Sequence, residues 1–198
     1  MYELNVTLVG SKPKIWRALE VRSDLTFAQL HKVIQVAMGW EGYHLHMFRL
    51  ADFCIGVPDD DDPEKVHDES AIALFHVVPC EGFEFDYEYD FGDCWLHRVA
   101  VEEIVDPENA ILLEGQWAAC TEGRRACPPE DVGGIWGYAE FLKAMRDRKH
   151  PRHKECREWI GGDFDPNAFD IDDVNSRLRD LERPRRKRGR RVEEEDPF

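Results

Sequence analysis

Between residues 83 and 91 every odd position is aromatic (Phe83, Phe85, Tyr87, Tyr89, Phe91) and every even position is acidic (Glu84, Asp86, Glu88, Asp90). Side chains alternate faces along a strand, so this stretch predicts a strand with one aromatic face and one carboxylate face; a helix would scatter both. The aromatic face belongs in a core, and the carboxylate face is expected to be solvated or paired with arginine. Gly92-Asp93 breaks the pattern as a hairpin turn does, and residues 94–104 resume a strand. With a two-residue turn, Glu88 would lie opposite His97 and Asp90 opposite Trp95; a longer loop shifts that register.

Upstream, residues 2–9 alternate with Leu4, Val6 and Leu8 on one face, and 15–21 return as a second strand after Gly10-Ser11-Lys12-Pro13. Thr26 is placed to cap a helix reaching Met38, with Phe27, Leu30, Ile34, Ala37 and Met38 as its apolar stripe and Gly39 as its stop. Residues 44–50 and 53–57 read as two short strands, which gives a ββαββ, β-grasp-like order. The run 59–64 is an acidic loop, and 70–79 is apolar without a readable period. Residues 105–134 are loop-rich and end in CPPEDVGG, where prolines and glycines shape a rigid turn. Helices are predicted over 135–146, from Pro151 to about Ile160, and from Asp170 onward with Ile171, Val174, Leu178 and Leu181 inward. The fold class is therefore α+β: a mixed or antiparallel sheet, a long β-hairpin and C-terminal helices packed on the sheet. Residues 1–182 are expected to form one domain and 183–198 a disordered tail.

Composition adds to this picture. Hydrophobic residues make up 42% of the chain, and six tryptophans spread along it suggest a core drawing on every segment. The net charge of -15 is uneven. Residues 183–191 carry seven basic side chains (Arg185, Arg186, Lys187, Arg188, Arg190 and Arg191 among them), followed by four acidic ones at 193–196. The remaining body holds 19 basic against 37 acidic residues and repels nucleic acid, so any such role falls to the tail. The plainer reading of the tail is a solubilising appendage. No apolar run approaches the roughly 20 residues of a membrane helix. The N-terminus lacks a signal-peptide pattern, and the six cysteines form no disulfide framework. A cytoplasmic protein is expected.

Several blocks resemble the plasmid pRiA4b Orf-3-like family, also described as insertion-element passenger proteins similar to TnpR. They are Ile15-Trp16-Arg17, Leu30-His31, Ala37-Met38-Gly39-Trp40, His44-Leu45-His46, Asp68-Glu69, the YEYDFGD segment at 87–93, Trp95 and His97. The ACPPEDVGG loop at 126–134, Gly137-Tyr138, and Asn175 with Leu178 complete the set, which spans about residues 2–180 in order. The resemblance implies an α+β domain in a mobile-element setting. It supplies no mechanism, and the chain lacks the serine-among-arginines and helix-turn-helix constellations of a serine recombinase.

The polar groups of these blocks are the candidate site: His31, His44, His46, Asp90, Asp93, His97, Glu130 and Asp131. His44 and His46 share a face if both lie on a strand. The functional expectation is a pocket near the 90–97 hairpin and the 126–134 loop that takes a small polar ligand, a protein partner or a divalent metal. Trp16, Arg17, His31, Asp90, Asp93, Trp95 and His97 would line it. Imidazole with carboxylate suits zinc, manganese or iron, with His44, His46, His97 and Asp93 as candidate ligands. In a metal-dependent hydrolase, Glu130 or Asp131 would be the base. The structural alternative is that Asp90 and Asp93 lock the turn, Glu130 and Asp131 serve a helix N-terminus, and the histidines satisfy buried carbonyls. Trp16 as core with Arg17 paired to a carboxylate is the corresponding alternative to a ligand clamp. Cys120 and Cys127 are too widely spaced for a zinc knuckle.

Overall fold

The computed structural model describes residues 1–59, 66–112 and 115–181; the predicted basic tail and most of the 59–64 acidic loop lie outside them. Eight strands form one sheet: β1 (Tyr2–Leu8), β2 (Trp16–Val21), β3 (His46–Arg49), β4 (Cys54–Gly56), β5 (Val66–Asp68), β6 (Glu84–Tyr89), β7 (Trp95–Ile104) and β8 (Ala118–Arg124). Their order is β5-β4-β3-β6-β7-β1-β2-β8, antiparallel except for the β4–β5 pair. The ββαββ order recurs in the chain, but the sheet inserts the β6–β7 hairpin between the β1–β2 and β3–β4 pairs.

One face of the sheet is covered. Leu4, Val6 and Leu8 of β1 and Phe85, Tyr87 and Tyr89 of β6 are buried on it. Helix α1 (Phe27–Met38) starts with a reciprocal capping box between Thr26 and Gln29 and stops at left-handed Gly39. Its Phe27 meets Phe48 and Phe85 edge-on at 4.9 and 5.8 Å, which seats the helix on the aromatic row. The opposite face is open. There Arg98 binds Glu84 and Asp86, and Arg49 binds Glu88, so the carboxylate row is arginine-paired.

Helices α2 (Gly134–Arg146), α3 (His153–Ile160) and α4 (Ile171–Asp180) follow β8. Asp170 caps α4 by accepting the Asp172 and Asp173 amides. The Asn175 carboxamide accepts from the Cys120 amide at 2.7 Å and donates to its carbonyl at 2.9 Å, tying α4 to the outer rim of β8.

Two expectations are corrected, and the elements left open are filled in. Residues 105–134 contain β8, because pairing with β2 makes a strand of AACTEGR although its apolar side chains are few and small. Residues 66–68 form β5, and 70–79 settle as a 3₁₀ turn at Leu74–His76. The hairpin has a five-residue loop, 90–94, with Asp90 and Cys94 at positive φ, so Tyr89 faces Trp95 and Tyr87 faces His97. The pairs Glu88 with His97 and Asp90 with Trp95 do not form, since register follows loop length. The core cluster draws on residues from Tyr2 to Leu178, as expected, although of the tryptophans Trp136 is 87% exposed and Trp159 half-exposed.

Candidate functional site

Three irregular segments meet above the end of the aromatic row: 41–45 between α1 and β3, the hairpin loop 90–94, and the loop 126–134. Gly39 ends α1 so that Trp40 turns inward, and its indole Nε1 donates to the Pro128 carbonyl at 3.0 Å. Asp90 donates its amide to the Leu45 carbonyl at 2.9 Å, joining the hairpin loop to the first segment. Asp93 Oδ2 accepts the Gly133 amide at 3.0 Å, joining it to the third.

The glycines of the loop are demanded by close approach. A Cβ on Gly134 would stand 2.5 Å from the Asp93 carbonyl oxygen, and one on Gly137 would overlap the Val132 carbonyl. Gly137→Ala is therefore expected to cost about 1–3 kcal/mol, the overlap outweighing the better helix propensity of alanine. Urea denaturation checks this; an alanine variant at or above wild-type stability would contradict it.

The stitched segments bring His44, Asp90, Glu130 and Asp131 together. His44 Nε2 lies 3.7 Å from Asp90 Oδ2, 3.9 Å from Glu130 Oε2 and 3.2 Å from Asp131 Oδ1. Asp90 and Asp131 both hold left-handed backbone, φ 57° and 56°, a conformation that aspartate tolerates at some cost and that aims each side chain into the cleft. Asp90 Oδ1 accepts the Gly92 and Asp93 amides at 2.9 and 3.3 Å. Glu130 Oε1 accepts from the Tyr89 hydroxyl and the Glu41 amide, both at 3.0 Å. Tyr89 Oη also accepts the Tyr43 amide at 3.1 Å. Burial, and then the Glu130 carboxylate, raise the Tyr89 phenol above its ordinary pKa, so it acts here as a donor.

The other candidate residues go elsewhere. His46 binds Glu69 at 2.6 Å and stacks on His31 with ring centroids 3.5 Å apart. His31 Nδ1 meets the Tyr87 hydroxyl at 2.8 Å; burial, then the neighbouring His46 and Lys32, push its pKa down to about 3. His97 is fully buried edge-on to Trp40, with Nδ1 at 3.2 Å from the Tyr87 carbonyl, and burial lowers its pKa to about 4. Trp95 is fully buried, and Asp93 serves the Gly133 amide.

Trp16 and Arg17 part company across the sheet. Trp16, half-buried, lines a shallow groove of the open face with Lys14 and Arg98. Arg17 is buried on the covered face, and its hydrogen bonds go to main-chain carbonyls rather than to a carboxylate.

Tyr89 and Glu69 had no assigned role in the sequence reading. Tyr89 was legible as a core aromatic, but the direction of its hydroxyl depends on the hairpin register. Glu69 stood beside Asp68 in a quoted block, with nothing local to show that it meets His46.

The fold and the site together define an α+β protein with a histidine–carboxylate cleft at one end of its aromatic row. Over residues 1–173 the chain matches the family described as plasmid pRiA4b ORF-3-like protein, and it belongs to that family. It is 38% identical over 183 residues to an uncharacterized protein, y4hQ, of Sinorhizobium fredii, covering 90% of each chain. It is also similar to the crystal structure of a protein of unknown function, MM3350, from Methanosarcina mazei Go1, with a TM-score of 0.78 and 38% identity. That match covers 87% of this chain and 96% of the other.

Proposed function

We propose that this protein is a binding module whose cleft recognises a cation, whether a polar group on a small ligand or protein partner or a divalent ion. The observation that carries this reading is the convergence of three carboxylates and one imidazole from three separate segments. Like charges gathered without an arginine or lysine among them favour a positive occupant. They also disfavour phosphate, so nucleic acid is not the expected occupant of the cleft. Exposed Tyr43, Leu45 and Phe91 on the same segments, and Trp136 just beyond the third, offer apolar contacts to a partner.

The module is taken to be a single domain over 1–182, supported by one core cluster that draws on residues from Tyr2 to Leu178. A cytoplasmic setting is supported by six free thiols. No helix among the described residues is long and apolar enough to cross a membrane. The plasmid in the family's description supports a mobile-element setting.

The test follows the His44 imidazole resonances by NMR during titration with methylammonium, methylguanidinium and divalent cations. Saturable shifts with at least one probe, abolished in the Glu130→Gln/Asp131→Asn variant, are expected. Silence with every probe would overturn the reading. A metal-dependent hydrolase, with Glu130 or Asp131 as base, is the second reading. It draws on the open side of the cleft at Asp131, whose side chain is 69% exposed and leaves room for water.

A further inference from the structure

We infer that the occupant of the cleft is a divalent first-row transition-metal ion, ligated by His44 Nε2 and one carboxylate oxygen each of Asp90 and Asp131, with the Glu130 carboxylate beside them as an outer negative charge. This names the ligand of the binding module just proposed and rests on that reading.

The distances fit an ion site better than a set of hydrogen bonds. His44 Nε2 makes no hydrogen bond among the described residues, and its three oxygen neighbours stand 3.2, 3.7 and 3.9 Å away. Two of these spacings exceed a good hydrogen bond. Two atoms each bonded at about 2.1 Å to one ion stand about 3.0 Å apart across a right angle and about 3.4 Å across a tetrahedral one. The 3.2 and 3.7 Å spacings to Asp131 and Asp90 lie at and just beyond these edges, while the 3.9 Å spacing leaves Glu130 outside the shell. Nε2 of His44 and one oxygen each of Asp90 and Asp131 lie within 4.8 Å of one another, which small inward shifts would close on an ion.

The orientation of the carboxylates is the second, independent argument. Asp90 is only 8% exposed, yet it commits Oδ1 to two amides and turns Oδ2 toward His44 without a hydrogen bond of its own. Glu130 repeats the arrangement: Oε1 holds the Tyr89 hydroxyl and the Glu41 amide, while Oε2 is buried without a hydrogen-bond partner among the described residues. A carboxylate with one oxygen anchored by donors and the other free is how a monodentate ligand is oriented by its outer shell. Hydrogen bonding alone gives no reason to leave both free oxygens facing one imidazole.

The donor set selects the ion. One imidazole nitrogen and two carboxylate oxygens suit zinc, manganese or iron(II); no thiolate is present in the group to favour copper(I), and the imidazole argues against calcium and magnesium. Asp131 lies on the solvent side with its side chain 69% exposed, so a position remains for water.

The test uses the untagged full chain, stripped with chelator and titrated calorimetrically with zinc, manganese and cobalt chlorides, with cobalt also followed by visible absorption. One equivalent per chain is expected. His44→Ala and Asp131→Asn are each expected to weaken it at least ~100-fold, the upper range for loss of an outer-shell partner and so a floor for a direct ligand. Asp131 is exposed, so its asparagine variant keeps the fold. Absence of saturable binding by all three metals would overturn the inference. Stoichiometric binding undiminished in both variants would do the same, by placing the ion elsewhere. If methylammonium or methylguanidinium still shifts the His44 resonances while every metal fails, the binding module stands and only the metal falls.

Discussion

Replacing Arg17 by methionine is expected to lower the stability of the protein by about 3–5 kcal/mol, through the buried carbonyls it leaves without a donor. Arg17 sits on the covered face of β2, where its guanidinium donates to four main-chain carbonyls. Nε reaches Ala37 at 2.7 Å, Nη1 reaches Trp16 at 2.8 Å and Arg124 at 3.0 Å, and Nη2 reaches Arg125 at 2.9 Å. The Phe169 ring lies 4.4 Å from its central carbon. Ala37 is in the last turn of α1, so its carbonyl has no partner within the helix and belongs to the negative end of the dipole. Burial lowers the Arg17 pKa, but guanidinium keeps its proton at any working pH.

Methionine would fill much of the volume and leave those carbonyls without their shared donor, at about 1–3 kcal/mol for each that stays dry. Lysine keeps the charge but is a point donor that cannot span the end of α1 and the end of β8 together, so Arg17→Lys is expected to fail as well. Urea midpoints check both. A methionine variant within about 1 kcal/mol of wild type would show that water replaces the guanidinium at no cost.

The second large effect is loss of stability in mild acid through His97. Burial lowers its pKa in the fold to about 4 from an ordinary 6.5. Between those values the unfolded chain binds the proton and the folded chain does not, so stability falls as pH drops from about 6.5 to about 4 and this contribution is flat outside that window. The slope is about 1.4 kcal/mol per pH unit, and the whole contribution is on the order of 3 kcal/mol. His31, pushed down to about 3, acts in the same direction. Protonation of His97 would place charge 5.1 Å, ring to ring, from Trp40, the residue whose indole N–H holds the Pro128 carbonyl. His97→Phe is expected to flatten the dependence between pH 7.5 and 5, leaving the part due to His31. An unchanged slope in that variant would assign the acid sensitivity to other groups.

Much of the fold was legible because local pattern and tertiary environment agree. The odd-position aromatics of 83–91 announce β6 and its buried face, and Thr26, Gln29 and Gly39 bracket α1 by capping chemistry alone. The pattern fails where the cause is not local. AACTEGR has little to announce a strand, and becomes one because β2 offers an unpaired edge. Trp136 reads as core from its residue type but sits on the outer side of α2.

The site follows the same division. His44, Asp90, Glu130 and Asp131 were all among the candidates, since each belongs to a quoted block. Their grouping was not legible: His44 was paired with His46 on an assumed common strand, whereas β3 begins only at His46 and the two imidazoles reach different carboxylates. The five-residue hairpin loop is the physical reason that Asp90, rather than Asp93, faces His44. Left-handed Asp90 leaves the strand two residues earlier than a two-residue turn would, and Asp93 is then free to hold the Gly133 amide.

The bond pair between Asn175 and Cys120 bears on how these molecules behave when crowded together. An outermost strand carries a row of amides and carbonyls that a strand from another molecule can read and extend. At Cys120 both groups are already engaged by a carboxamide from the chain's own helix. At the opposite end the outermost strand is β5, only three residues long. One rim is interrupted at Cys120 and the other is short, so sheet-to-sheet polymerisation finds little continuous template on either side.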